Sequence, residues 1–150
     1  MNLLIPPPVV VAITGTAMWQ TNRTIEFGQF SFAFQEPLAI ALLVLGLLLM
    51  ALSIASFVTA RTTVNPLKPA NTSSLVTSGV FNLSRNPIYL GDLLVLAALA
   101  LWLGNLVNIV LLALFVWYIE RFQILPEEQA LTRLFGEEYA AYCARVRRWL

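Results

Sequence analysis

No histidine occurs anywhere in this chain of 150 residues, and cysteine occurs once, at Cys143. The first absence removes imidazole as a general base and every histidine-containing zinc site. The second removes an intrachain disulfide, and the two together remove a cysteine–histidine nucleophilic pair. Charge is also scarce. Charged residues make up 11% of the chain and nearly cancel, nine basic against eight acidic, for a net charge of +1. A protein this close to neutral offers no bulk attraction for nucleic acid. Arginine, aspartate, glutamate, tyrosine and asparagine are left to carry the chemistry, and no metal is expected.

Apolar residues fill the chain instead: 59% are hydrophobic and mean hydropathy is +0.77. That composition points to a protein embedded in a bilayer, and the length suits one domain over 1–150. The expected fold class is all-α, a polytopic membrane protein of about four transmembrane helices followed by an amphipathic cytosolic helix. Residues 1–60 are expected to form scaffold helices, 61–86 a cytoplasmic loop, 87–125 a helical hairpin and 126–150 the cytosolic helix.

Residues 3–19 are the first apolar run. Pro6-Pro7-Pro8 interrupts its start, so its helix is expected to begin near Pro8, where proline suits the first turn. No basic stretch precedes it and no small-residue cleavage site follows, so it reads as a retained membrane segment and not a removed signal peptide. Residues 20–36 read as a polar connection in which Phe30, Phe32 and Phe34 alternate. Beside apolar helices these suit an interfacial aromatic belt better than a strand. Residues 37–60 are apolar throughout and, at about 1.5 Å per residue, can span about 30 Å of hydrocarbon. Gly46, Ala51, Ser53, Ala55 and Ser56 are small enough there to let a neighbouring helix come close.

The prolines and small polar residues of 61–86 oppose helix. A loop of that length is a linker or a lid, and the lid is favoured because the loop runs directly into Arg85-Asn86-Pro87. Two more apolar stretches, 88–103 and 106–125, are joined by a tight turn at Gly104-Asn105 into an antiparallel hairpin. Pro126 then starts the cytosolic helix. Leu131, Leu134, Phe135, Tyr139, Tyr142, Cys143 and Val146 recur along it at three- and four-residue steps as one stripe. Eight of the nine basic residues fall in 61–86 or from Arg121 onward. That side is cytoplasmic by the positive-inside rule, and both termini lie on it.

Polar residues gather at one end of the hairpin. Asn86-Pro87 is a helix start, with asparagine as N-cap and proline at the first helical position. Tyr89 and Asp92, three apart, share a face. Asp92 lies more than a turn inside an apolar helix, where an unpaired carboxylate costs about 2.5 kcal/mol or more. It is a functional group, or it merely reaches the interface or forms a structural ion pair, with Arg85 and Arg121 as candidate partners. Glu127 and Glu128 follow Pro126, where macrodipole compensation alone accounts for them. Their alignment with Leu131, Leu134 and Phe135 also sets them at the head of the apolar stripe. Paired carboxylates there can receive an ammonium group or hold an arginine. Arg121 reads as a snorkelling side chain or a site arginine. Glu137 and Glu138 fall on the exposed side, and Trp102, Trp117 and Trp149 read as belt or packing residues.

Ser84-Arg85-Asn86-Pro87-Ile88-Tyr89-Leu90-Gly91 resembles the Arg-His-Pro-x-Tyr-x-Gly motif of the isoprenylcysteine carboxyl methyltransferases. Glu127-Glu128-Gln129-Ala130-Leu131 and Phe135-Gly136-Glu137-Glu138-Tyr139-Ala140-Ala141-Tyr142 resemble their Glu-Glu-x-x-Leu and Phe-Gly-x-x-Tyr-x-x-Tyr block. The phospholipid methyltransferases are similar. The likeness covers the C-terminal half. It implies an integral-membrane enzyme that binds S-adenosylmethionine without a Rossmann domain, in a cytoplasm-facing pocket roofed by the tail helix. The implied methyl acceptor is a lipophilic, prenylated or lipid molecule bearing a carboxylate or an amine, and it enters from the surrounding membrane lipid.

Carried over residue by residue, the expected cofactor-binding set is Asn86, Pro87, Tyr89, Gly91, Glu127 and Glu128. Arg85 from the first motif, with Arg121 and Asp92 by their position, is the expected catalytic set. Asn86 stands where the motif has histidine, so a non-titrating amide makes any hydrogen bond there. The arginine that precedes the paired glutamates in the eukaryotic enzymes has no counterpart, and Arg121 is the nearest substitute. A carboxylate acceptor needs no base and is oriented by Arg85 or Arg121. An amine needs one, from Asp92 or a paired glutamate. Tyr89-Leu90-Gly91-Asp92 also resembles the Tyr-x-Gly-Asp segment of the NADPH-using sterol reductases, which share the hairpin. A reductase, and outside enzymes a lipid-binding scaffold, are the alternatives; the paired glutamates favour the methyltransferase.

Overall fold

Proline sets the beginning of three helices in this chain. Pro7 opens α1 (Pro7–Thr24), Pro37 lies in the first turn of α2 (Gln35–Thr59), and Pro87 occupies the first position of α3 (Pro87–Leu103). At such positions the missing N–H leaves no bond unmade. These elements come from a computed structural model that describes residues 5–60 and 74–150. After α3 come α4 (Asn108–Ile119), a π-helical turn (Glu120–Ile124) and α5 (Leu125–Arg145). A short 3-10 turn, Gly79–Asn82, precedes α3. The described residues contain no strand, only an isolated bridge between Gln29 and Asn105.

The most extensive helix contact is α2 against α3, and α1 packs on both α3 and α4. Glycine makes the first contact possible. A Cβ on Gly91 would lie 2.4 Å from Met50 Cγ and 2.8 Å from the Gly46 carbonyl, so only glycine lets the two backbones approach this closely. One core cluster joins α1, α3 and α4 through Met18, Tyr89, Leu96, Phe115, Ile119 and Ile124. A second joins the turn before α3 to the tail through Val76, Phe81, Tyr139, Tyr142 and Val146. Most of α2 faces outward, with Leu38, Val44, Leu45, Leu47 and Leu48 exposed. An apolar surface of that extent suits lipid. Two helical runs, Gln35–Thr59 and Asn108–Arg145, are long and apolar enough to cross a bilayer, and Pro87–Leu103 is a shorter apolar helix.

Several boundaries differ from expectation. The connection expected at 20–36 is shorter, because α1 continues to Thr24. Arg23 stacks over Trp19 at 4.4 Å, and the Thr24 hydroxyl bonds back to the Gln20 carbonyl. Both contacts let polar residues close the helix. The backbone over 30–34 is coil and turn, not strand, with Phe30 and Phe32 stacked at 6.1 Å and Phe27, Phe32 and Phe34 exposed. The fourth apolar stretch and the tail helix are not separate elements. They run on through the π turn, in which Leu125 N–H bonds to Glu120 O, five residues back. A proline interior to an α-helix collides with the carbonyl four residues behind it; widening the turn just before Pro126 relieves this.

The tail helix is kinked at Gly136 (φ 49°, ψ −117°); of the expected stripe, Leu134 is exposed, and Val146 lies beyond the helix end yet is buried. Residues 61–73 of the expected lid lie outside the described residues.

Candidate functional site

The first turn of α3, the start of α5 and the last residues of the chain meet at one end of the bundle. The end of α2 and the N-terminus of α1 close the other sides. All of these except the last residues of the chain line a cavity of about 470 Å³. Its apolar wall includes Pro8, Met50, Ile54, Phe57 and Phe81, and its polar lining is Arg85, Asn86, Tyr89, Asp92 and Glu127.

Tyr89 and Asp92 share the face of α3 that looks into this space, as their spacing predicts, and both are buried. The Tyr89 hydroxyl donates to Glu127 Oε1 at 2.7 Å. Asp92 forms no ion pair among the described residues; neither Arg85 nor Arg121 reaches it. Arg85 sits just ahead of α3, and its Nε is buried without a partner among the described residues. Its Nη1 lies 3.3 Å from Glu128 Oε1 and donates to Cys143 Sγ at 2.6 Å.

The paired glutamates divide. Glu127 lines the cavity. Glu128 does not, and is held by arginines on two sides: Arg85 on one, and Arg148 on the other through Nε at 3.0 Å and Nη2 at 2.8 Å. Arg148 also pairs with Glu120. The bond to Glu128 is the chief cause that raises the Arg148 pKa above the usual guanidinium value. Consecutive helical residues point about 100° apart, so one facing the cavity turns the other to the tail.

Other expected residues fall elsewhere. Gly91 is not at the cavity; it is buried where α2 crosses α3. Arg121 is exposed and outside the lining. Asn86 takes the cap position, yet its side chain makes no cap bond. Its Nδ2 instead donates to Arg148 O at 3.0 Å, while its N–H donates to Ser84 Oγ at 3.1 Å. Pro87 lines the cavity wall. Sequence reasoning missed Arg148, Glu120 and Cys143. Arg148 is part of an Arg147-Arg148 pair that otherwise registers only as tail charge. No helical spacing links it to Glu128, because the chain leaves the helix at Val146.

The sequence pattern of the phospholipid methyltransferase family matches residues 34–138. The chain belongs to the phospholipid methyltransferase family. Every residue of the cavity's polar lining falls within that match. A probable protein-S-isoprenylcysteine O-methyltransferase of Oryza sativa is 25% identical over 146 residues, 97% of this chain and 76% of that one. The mouse protein-S-isoprenylcysteine O-methyltransferase is 39% identical over 77 residues, 51% of this chain and 27% of that one. An uncharacterized protein of Haemophilus influenzae is 46% identical over 63 residues, its whole length and 42% of this chain. No solved structure matches. Membership of a methyltransferase family makes the chain an enzyme of that class and displaces the reductase and scaffold alternatives.

Proposed function

We propose that this phospholipid methyltransferase family member transfers a methyl group from S-adenosylmethionine to a lipophilic acceptor at the cytoplasmic face of a membrane. The observation that carries the reading is the cavity, whose polar end sets Asp92 and Glu127 against Arg85 while its other walls are apolar. Its volume, about 470 Å³, falls within the usual range for small-molecule sites. The residues suit that cofactor's mixed charges. Glu127 and Asp92 offer carboxylates to cationic groups. Arg85 has an unpartnered buried Nε for a carboxylate. Phe57, Phe81 and Met50 offer an apolar wall for the adenine.

When bound, S-adenosylmethionine supplies an electrophilic methyl group on a sulfonium. The protein's part is alignment and exclusion of water, which account for much of the acceleration in such displacements. Tyr89 fixes the Glu127 carboxylate through its hydroxyl. Arg85 can orient a carboxylate acceptor, which needs no base. For an amine acceptor, Asp92 is the group available to take the proton. Glu128 is engaged by two arginines, and Arg121 is exposed and outside the cavity lining, so neither is assigned a direct role.

The apolar helices α1 to α4 are read as the membrane-embedded part of one domain. The site end, with both termini, faces the cytoplasm, as the basic residues at that end favour. Calorimetric titration of detergent-purified protein with S-adenosylhomocysteine and with NADPH tests the cofactor. Micromolar binding of the first alone is expected. Binding of NADPH alone overturns the reading. Transfer of labelled methyl from S-adenosylmethionine into membrane lipid or prenylcysteine analogues then separates amine from carboxylate acceptors.

A further inference from the structure

We propose that Arg148, near the end of the chain, is a positioning residue for the cavity arginine Arg85. The inference rests on the cofactor reading above and goes beyond it, because Arg148 does not line the cavity. Three backbone-directed bonds fasten the tail to the segment that carries Arg85. Arg85 N–H donates to Arg147 O at 3.0 Å, Asn86 Nδ2 to Arg148 O at 3.0 Å and Ser84 Oγ to the same oxygen at 3.3 Å. From this anchor the Arg148 side chain turns back to the helices. It grips both oxygens of Glu128 and also pairs with Glu120, across the π turn. Glu128 Oε1 in turn lies 3.3 Å from Arg85 Nη1.

The relay therefore runs from tail to helix to cavity. A bidentate guanidinium–carboxylate pair fixes the carboxylate plane as well as its place. Glu128 and Arg85 are the more enclosed members, with side chains 17% and 14% exposed, against 32% for Arg148. Arg148 is thus the outer clamp on a mostly desolvated pair, where the alternative to pairing is a buried unpaired carboxylate.

Cys143 supplies a reporter that needs no ligand. It is the chain's one cysteine, partly buried, and its Sγ receives Arg85 Nη1 at 2.6 Å, so its reaction rate with N-ethylmaleimide registers whether that guanidinium is in place. The experiment uses the full chain in detergent. R85Q first sets the alkylation rate with the guanidinium gone. R148Q is expected to move the rate in the same direction by at least half of that change in its logarithm, and R148Q/E128Q to move it no further than E128Q alone. R148K, which keeps the charge but loses the fork, is expected between wild type and R148Q, and it carries the test if R148Q does not fold.

The second arm is S-adenosylhomocysteine affinity. R148Q is expected to weaken it about tenfold, with an effect that is not additive with E128Q. Wild-type alkylation in R148Q, or in R148K where that variant carries the test, overturns the proposal, and so does additivity with E128Q. Failure of wild-type protein to bind S-adenosylhomocysteine instead sinks the cofactor reading, and the alkylation arm still decides the positioning role.

Discussion

The two ends of the bundle are built from different materials. At the hairpin tip, uncharged donors, two from the backbone and two from side-chain amides, bond to backbone carbonyls. Phe30 N–H donates to Gly104 O at 2.8 Å, Leu106 N–H to Gly28 O at 2.9 Å, Asn105 Nδ2 to Ile25 O at 3.0 Å and Gln35 Nε2 to Leu101 O at 2.6 Å. At the other end, Arg85, Arg148, Glu120 and Glu128 meet side chain to side chain, and Tyr89 bonds Glu127 beside a cavity. Backbone-directed bonds at the tip hold α1, α2 and the hairpin in register and leave little free to act. Charged side chains at the site end cost desolvation and repay it only when paired, so they are a poor means of stabilising a fold and a good means of binding one. Changes at the tip should therefore alter stability and spare ligand affinity, and changes at the site end should do the reverse.

The largest effect is expected from Gly104→Ala. Gly104 has φ 64°, and a Cβ there would lie 2.5 Å from Phe30 O and 3.0 Å from Gln35 Nε2. Left-handed strain and the collision together should cost about 2–3 kcal/mol, read as a lower unfolding midpoint in detergent. Affinity for S-adenosylhomocysteine, measured below the new midpoint, should stay within about twofold. A comparable loss of affinity would show that the ends are not separable.

Glu127→Gln should give the complementary result. It removes a cavity carboxylate but keeps the shape, and affinity should fall about 30-fold, equivalent to about 2 kcal/mol. The unfolding midpoint should hold or rise, because a carboxylate in an enclosed site is itself a cost. A wild-type affinity would assign the cationic groups of the ligand to Asp92 alone.

Asn108→Leu sharpens the comparison from the tip. Asn108 is fully buried, and neither its Nδ2 nor its Oδ1 has a partner among the described residues. Replacing an unsatisfied buried amide by a side chain of similar volume should stabilise by about 1 kcal/mol, with binding unchanged. A lower midpoint would mean that the amide has a partner in solution, such as a buried water.

The sequence made these two ends legible to different degrees. Helix positions followed from proline and apolar run length, and Gly104-Asn105 announced its turn, because those rules are local. Tyr89 and Asp92 were placed on one face by spacing alone, and the structure turns that face to the cavity. Spacing could not divide Glu127 from Glu128. Both align with the apolar stripe, and which of them meets the tail depends on the π turn at Glu120–Ile124 and on where Arg148 returns. Gly91 shows the opposite limit. Its place in a motif suggested a ligand, whereas its immediate physical role is to admit Met50 and the Gly46 carbonyl. Arg121 and Arg148 have the same side chain on the same side of the molecule. Only the exit of the chain from α5 at Val146 decides which one reaches the glutamates.

Tyr89→Phe should give the smallest change and is the finest test of the difference between the ends. Tyr89 joins the site end to the core. Its ring lies in the core cluster with Met18 and Leu96, and its hydroxyl donates to Glu127 at 2.7 Å. Phenylalanine keeps the ring and removes only the donor, so packing should survive and the unfolding midpoint should move little. Losing one hydrogen bond to a carboxylate should weaken S-adenosylhomocysteine binding about fivefold, equivalent to about 1 kcal/mol. In Glu127→Gln protein the same substitution should have almost no further effect, since the group that the hydroxyl steadies is already gone. If the hydroxyl matters equally with and without that carboxylate, it acts on the ligand directly, and Tyr89 is then a contact residue in its own right.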